Sequence, residues 1–226
     1  MITILSISEK LLLAVKMQKE TLLFEKRLAE ITFQELQNQL ETDGAKKVFW
    51  INCYNAFFQI LTKREQLSRN KIFKAKIILI ANIKFSLDDI EHGILRKYRS
   101  KFSFGYLPNI FVSKISKSLA VTQLDYRIHF ALNCGAKSCP PIAFYTLEKL
   151  DNQLNDAMYS FLFSETIIDE KNKKISTSKL LYWYQGDFGG TSGIKKILQH
   201  VFELKDNNYK LFYNKYNWEI HTENYS

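Results

Sequence analysis

The run Val48-Phe-Trp-Ile-Asn-Cys-Tyr-Asn-Ala-Phe-Phe-Gln-Ile-Leu61 limits what this chain can fold into more than any other stretch. An exposed amphipathic helix keeps its apolar residues on one face, whereas here they fall all round, so the segment reads as a helix buried on every side. Such a helix needs a shell of other elements. Asn52 and Asn55 lie three apart and share a face, and a buried amide without partners costs about 1–3 kcal/mol. The shell must therefore supply their hydrogen bonds.

The flanking sequence offers that shell. Leu11, Leu12 and Val15 share one side of a helix over 8–18, and Leu28, Ile31, Leu36 and Leu40 extend helical character to Thr42, with Gly44 expected to end this unit. Lys76-Ile-Ile-Leu-Ile-Ala81 is short and β-branched, as a strand would be. Ser86 can cap a helix that carries Asp88 and Asp89 in its first turn and Glu91, His92 and Arg96 beyond. Thr146 is expected to cap a helix through Leu162, and two more helices are expected over 180–184 and 193–204. Ile175–Thr177, Tyr209–Tyr213 and Trp218–His221 read as short strands. Together these elements predict an α+β fold, one α-rich domain with a small β-sheet. Residues 1–44 form an N-terminal helical segment packed on a main globular domain over 45–226.

The most site-like segment is Arg127-Ile-His-Phe-Ala-Leu-Asn-Cys-Gly-Ala-Lys-Ser-Cys-Pro-Pro141. Gly135 permits a tight turn after Cys134, and Pro140 and Pro141 resist regular structure, so a thiol there can face a substrate. A nucleophilic cysteine needs a nearby base. His129 is five residues away, which in an extended chain places it on the opposite side and roughly 16 Å distant at about 3.3 Å per residue. His92, brought in by the fold, is then the expected base. Glu91 is expected to point elsewhere on that helix, and Asn52 or Asn55 to orient the imidazole or donate to an oxyanion. Arg96 can hold an anionic substrate, with Glu91, Ser138 and His129 as further substrate contacts. The competing reading is a noncatalytic scaffold in which the same polar side chains form a buried network.

Other chemistries are less well supported. Cys134 and Cys139 could form a disulfide or a redox pair, but Cys-x4-Cys lacks the specificity of a thioredoxin-like motif. No His/Cys pair has structural-zinc spacing, so no metal is expected, and no cofactor is implied. Gly186 to Lys196 lacks the Gly-x4-Gly-Lys pattern of a P-loop, and helix termination and restart account for its glycines. Tyr182, Trp183, Tyr184 and Trp218 read as packing anchors.

Four separated motifs carry a resemblance: Phe49-Trp-Ile-Asn-Cys-Tyr-Asn-Ala56, Leu87 to Arg96, Arg127 to Pro140, and Tyr182-Trp-Tyr-Gln-Gly-Asp-Phe-Gly189. In this order, across roughly residues 40 to 220, they resemble domain-of-unknown-function family 547. The resemblance draws attention to Asn52, Asn55, Glu91, His92, Arg96, Cys134, Ser138 and Asp187 without implying a reaction. Relatives occur in bacteria and plants, some fused to glutaredoxin-like modules. Many bacterial ones carry export signals that this chain does not show, and Tyr126 stands where members often have Pro.

The formal charge, 32 minus 23 or +9, favours anionic contacts. Its lysines are scattered and no groove-reading motif accompanies them, so the expected partner is a small-molecule or peptide ligand, anionic in character, rather than nucleic acid. The opening residues lack a basic leader followed by an apolar run, and no apolar stretch approaches the roughly 20 residues of a membrane-spanning helix. Three cysteines are too few for a disulfide scaffold, which together with the missing leader makes cytoplasmic residence the expectation.

Overall fold

A computed structural model describes residues 3–206, 208–222 and 224–225, the side chains of 69 and 70 excepted. At its centre lies helix α4, Asp43–Lys63, started by Thr42, whose side chain accepts from the Ala45 N–H. Every residue from Val48 to Leu61 is buried, so the all-round apolar run is the hub of the fold. Helix α1, Ile4–Lys16, lies along it and inserts Ile4, Leu11 and Leu12 into the same core. Helices α2, Leu22–Glu30, and α3, Phe33–Gln39, follow, separated where Ile31 turns extended and Thr32 forms a capping box with Glu35. Gly44 does not end this unit. It sits in the first turn of α4, where a Cβ would stand 3.1 Å from Leu147 Cδ1, so close packing against that residue is its structural consequence.

After the short helix α5, Arg69–Ile72, strands β1, Ile78–Ile80, and β2, Ile83–Phe85, pair antiparallel as Ile78↔Phe85 and Ile80↔Ile83. Ala81 and Asn82 both take positive φ between them, as a two-residue hairpin turn requires. Their N–H groups donate to Leu28 and Ala29 of α2, which locks the hairpin onto the helical shell. Helix α6, Lys114–Leu119, is capped by Ser113.

A second core is built by α7, Leu150–Glu165, α8, Lys179–Trp183, and α9, Gly190–Val201, packed on a three-stranded sheet. In that sheet β3, Ile167–Asp169, runs antiparallel to β4, Lys174–Thr177, which runs parallel to β5, Lys210–Tyr213. Thr146 is extended and makes no side-chain cap. A 3-10 turn over Leu147–Lys149 precedes α7, and Gln153 Oε1 takes the Thr146 N–H. Trp218–His221 is not a strand, only a bridge at Ala136↔Ile220 with backbone bonds from Lys137 to Glu219 and from His221 to Gly135. Its partner is the cysteine loop, whose Gly135 turn and paired prolines cannot present an extended ladder. The 3-10 segment Tyr126–Phe130 runs along the seam of the two cores, Ile128 facing one and Phe130 the other. His129 lies between them.

Candidate functional site

Residues Asp89–Leu95 form a π-helix rather than an α-helix, closed by the Arg96 N–H on the Glu91 carbonyl five residues back. Asp89 fixes its start by accepting from both the backbone and hydroxyl of Ser86. Such wide turns are rare and concentrate at functional sites. The wide turn also corrects the expectation for Glu91. Instead of pointing away, its Oε1 lies 3.5 Å from His92 Nδ1. Two hydroxyls hold this buried carboxylate, Tyr184 at 2.7 Å and Tyr54 at 3.2 Å. Burial raises its pKa, but the charges of His92, when protonated, and Arg96, together with the Tyr184 bond, leave it below the usual value. Burial pushes the Tyr54 and Tyr184 phenols well above theirs, so both remain donors.

Arg96 is completely buried. Its Nε donates to Asp187 Oδ2 at 2.6 Å, its Nη1 approaches His92 Nδ1 at 2.8 Å, and its guanidinium lies over the Tyr184 ring at 4.5 Å. A guanidinium can only donate, so His92 Nδ1 accepts and the neutral ring carries its proton on Nε2. Burial lowers the His92 pKa, and Arg96 lowers it further against the opposing pull of Glu91.

His129 is not on an extended segment, so the 16 Å separation from Cys134 does not apply. The 3-10 turn, started by Asp125 accepting from the Arg127 N–H, aims its ring at the same cavity that Cys134 lines. His129 stacks on Tyr184 at a ring separation of 4.0 Å, and its Nε2 lies 2.8 Å from Asp187 Oδ2. A carboxylate can only accept, so Nε2 carries the proton; among the described residues no hydrogen bond engages Nδ1. Burial lowers the His129 pKa against the raising effect of Asp187. Asp187 itself is lowered: burial raises it, but the bonds from His129 and Arg96 prevail. It is reached only because two backbones approach closely. A Cβ on Gly186 would stand 2.6 Å from the Gly105 carbonyl carbon, and one on Gly105, at φ +85°, would stand 2.2 Å from Asp187 Oδ1.

Asn52 and Asn55 take their partners from two loops rather than from His92. Asn52 brackets Tyr145, donating to its carbonyl and accepting from its N–H. Asn55 donates to Ala131 O at 2.9 Å and accepts from Asn133 N at 3.0 Å, which pins the backbone just before Cys134. Asn133 closes the loop by donating to Pro140 O and accepting from Gly135 N. Ser138 Oγ accepts from the Asn217 N–H, tying the loop to the chain end. Within the loop Cys134 Sγ lies 2.7 Å from Cys139 Sγ and 3.4 Å from the Tyr216 hydroxyl. Cys134 is half-buried, whereas Cys139 is buried and its thiol is pushed well above its usual pKa by burial and by Cys134.

Part of this set lines a cavity of about 450 Å³, whereas Asn52, Asn55, Arg96, Ser138 and Asp187 stand behind its wall. Cys134, Cys139, His92, His129 and Glu91 line it, Lys74 and Lys101 stand on its wall, and Trp183, Tyr216 and Trp218 make an aromatic side with ring separations of 4.4 to 5.4 Å. Of the aromatic anchors of the sequence, Trp183, Tyr184 and Trp218 are thus also cavity wall, while Tyr182 packs on Phe104 and Tyr213. Tyr54 and Tyr216 gave no signal of their own; Tyr54 is hidden in the apolar run, although it sits between the two asparagines on α4. Among the described residues no group of three or more His, Cys, Asp or Glu could hold a metal ion.

A family model described as protein of unknown function, DUF547, matches residues 37–162. That span holds α4, the π-helix and the cysteine loop, while Asp187, Tyr184 and Tyr216 lie beyond it. Neither a curated protein nor a solved structure matches the chain.

Proposed function

The chain belongs to the DUF547 family, and from that premise we propose that it is a cysteine-dependent hydrolase or acyltransferase, with Cys134 as nucleophile and the Asp187–His129 pair as its base. One observation carries the reading: His129 is held by Asp187 through Nε2, leaves Nδ1 without a protein partner among the described residues, and lines the same cavity as Cys134. That is the order of roles in a nucleophile–base–carboxylate triad, recognised by geometry rather than sequence position. His129 replaces His92 as the base because His92 Nδ1 is occupied by Arg96, which leaves His92 a donor from Nε2.

In the proposed cycle His129 Nδ1 takes the Cys134 proton, and the thiolate attacks a carbonyl carbon to form the carbon–sulfur bond. The negative charge gathers on the carbonyl oxygen, where the His92 Nε2–H and the Tyr216 hydroxyl are the available donors. His129 returns the proton to the leaving group as its bond to carbon breaks. Water or an acceptor hydroxyl or amine then cleaves the thioester and restores the thiol. Asp187 stabilises the imidazolium between these steps. The aromatic side of the cavity suits a flat or apolar acyl portion, and Lys74 and Lys101 suit an anionic group on the substrate.

The test is the pH dependence of Cys134 alkylation by iodoacetamide, read by peptide mass, alongside acyl-enzyme trapping with aryl esters. The reading expects alkylation enhanced near neutral pH, lost in His129→Gln and Asp187→Asn while circular dichroism stays unchanged, and retained in His92→Gln. Uniformly slow labelling, indifferent to His129, would instead favour a scaffold built on the same polar network.

A second reading rests on the 2.7 Å approach of the two sulfurs. A dithiol can reduce a disulfide substrate: Cys134 attacks one sulfur and releases the other as a thiol. Cys139 then resolves the mixed disulfide, which leaves the protein oxidised by two electrons and the substrate reduced. Stoichiometric reduction of glutathione disulfide by the reduced protein that disappears in Cys139→Ser would favour it, since the acyl-transfer reading requires Cys134 alone.

A further inference from the structure

Between Lys97 and Lys117 the chain carries Lys97, Arg99, Lys101, Lys114 and Lys117 and no acidic residue. The same stretch exposes large apolar side chains: Phe111 is 89% exposed, Phe102 86%, Ile110 74% and Leu107 63%. Isolated exposed apolar residues are ordinary, but a concentration of this kind on one segment marks a contact surface. The segment is not a loose loop. Arg99 bridges Pro108, Ser100 N–H donates to Leu107 O, Asn109 N–H donates to Tyr98 O, and Arg99 Nη1 donates to Tyr106 O. Phe102, Ile110 and Phe111 line one concavity of about 500 Å³ together with Lys76, Arg99 and Lys101, so the apolar and basic groups share a face.

Two carboxylates on that face are already neutralised, Asp88 by Lys101 and Asp89 by Lys76 at 3.6 Å. Among the described residues no carboxylate pairs with Lys97, Arg99, Lys114 or Lys117. The segment therefore combines protruding phenylalanine and isoleucine side chains with cations that no carboxylate opposes, Arg99 on the concavity itself and Lys97, Lys114 and Lys117 in the flanking sequence. That is the pairing an anionic lipid surface rewards: apolar side chains enter the acyl boundary while cations meet phosphate and carboxylate headgroups. A protein partner would need an apolar pocket for each protruding side chain and carboxylates placed to match the cations, whereas a bilayer accepts them in any arrangement. We propose that residues 97–117 dock the protein peripherally on anionic phospholipid membranes. Asp88, His92 and Lys101 line both this concavity and the cysteine cavity, so docking would set the mouth of the candidate site beside the headgroups. The proposal stands whether or not Cys134 is catalytic.

The test is co-sedimentation of the whole chain with vesicles of phosphatidylcholine alone and of phosphatidylcholine with about one-third phosphatidylserine. Expected are binding to the anionic vesicles only, loss of binding at high salt, and a drop of about fivefold for each cation removed in Lys114→Gln and Lys117→Gln. The triple change Phe102→Ser, Ile110→Ser, Phe111→Ser should abolish binding. All three side chains are largely in solvent, so unfolding is not expected, and a thermal melt checks this. Phe111→Trp gives an independent readout, its fluorescence shifting blue only with anionic vesicles. Equal binding to both vesicle types, or none, overturns the proposal. So does patch-dependent self-association or RNA binding without vesicle binding.

Discussion

Replacing Asn55 with Ala removes two hydrogen bonds to backbone that cannot find replacements in the protein. Asn55 is fully buried, and its amide serves the Ala131 carbonyl and the Asn133 N–H, both on residues that are themselves fully buried. Each orphaned buried group costs about 1–3 kcal/mol, so the loss is about 2–6 kcal/mol, nearer the lower end if water enters the space. For a chain of this length each kcal/mol moves the melting midpoint by about 2–4 °C, so a fall of roughly 5–20 °C is expected. Urea unfolding followed by tryptophan fluorescence measures it, with the exposed Asn38→Ala as a control that should stay within about 0.5 kcal/mol of the wild type. Asn133 precedes Cys134, so a released backbone should raise the rate of Cys134 alkylation at every pH rather than shift its pH dependence. A variant as stable as wild type, with Cys134 labelling unaltered, would refute the view that α4 holds the cysteine loop by this amide.

Three further outcomes are expected. Gly105→Ala should lower stability by more than about 1 kcal/mol in a urea melt, because the position has φ +85° and the new Cβ would meet Asp187 Oδ1 at 2.2 Å; Ser103→Ala nearby should be milder. Asp125 is raised by burial but brought down to about 2 by its bonds to Arg127 and Lys47. The roughly 2 kcal/mol it contributes should be present above about pH 4 and lost between about 4 and 2. The stability gap between wild type and Asp125→Asn, measured across that window, should close as the pH falls. His92 and His129 are both lowered in the folded protein, so the unfolded chain takes up protons first. Their effect is full stability above about pH 6.5 and a decline below it, with a shallower slope in His92→Gln measured by urea midpoints from pH 8 to 5.

Local patterns in the sequence sufficed for much of the architecture. The all-round apolar run required a buried hub, and α4 is one. Short β-branched runs located strands at 78–80 and 174–177, and the glycine turn with paired prolines marked the cysteine loop as irregular. These are nearest-neighbour properties, set by side-chain shape and periodicity within a few residues. The cavity's chemistry was not local. An α-turn and a π-turn are compatible with the same residues 89–95, and only packing selects the wider one, which carries Glu91 to His92. Likewise Arg96 and Asp187 meet across 91 residues, and His129 and Asp187 across 58. Sequence alone named the cysteine loop and two histidines. Which imidazole keeps Nδ1 without a protein partner depended on where one arginine and one aspartate were buried: both rings carry their proton on Nε2, but Arg96 occupies Nδ1 of His92 while Asp187 engages only Nε2 of His129.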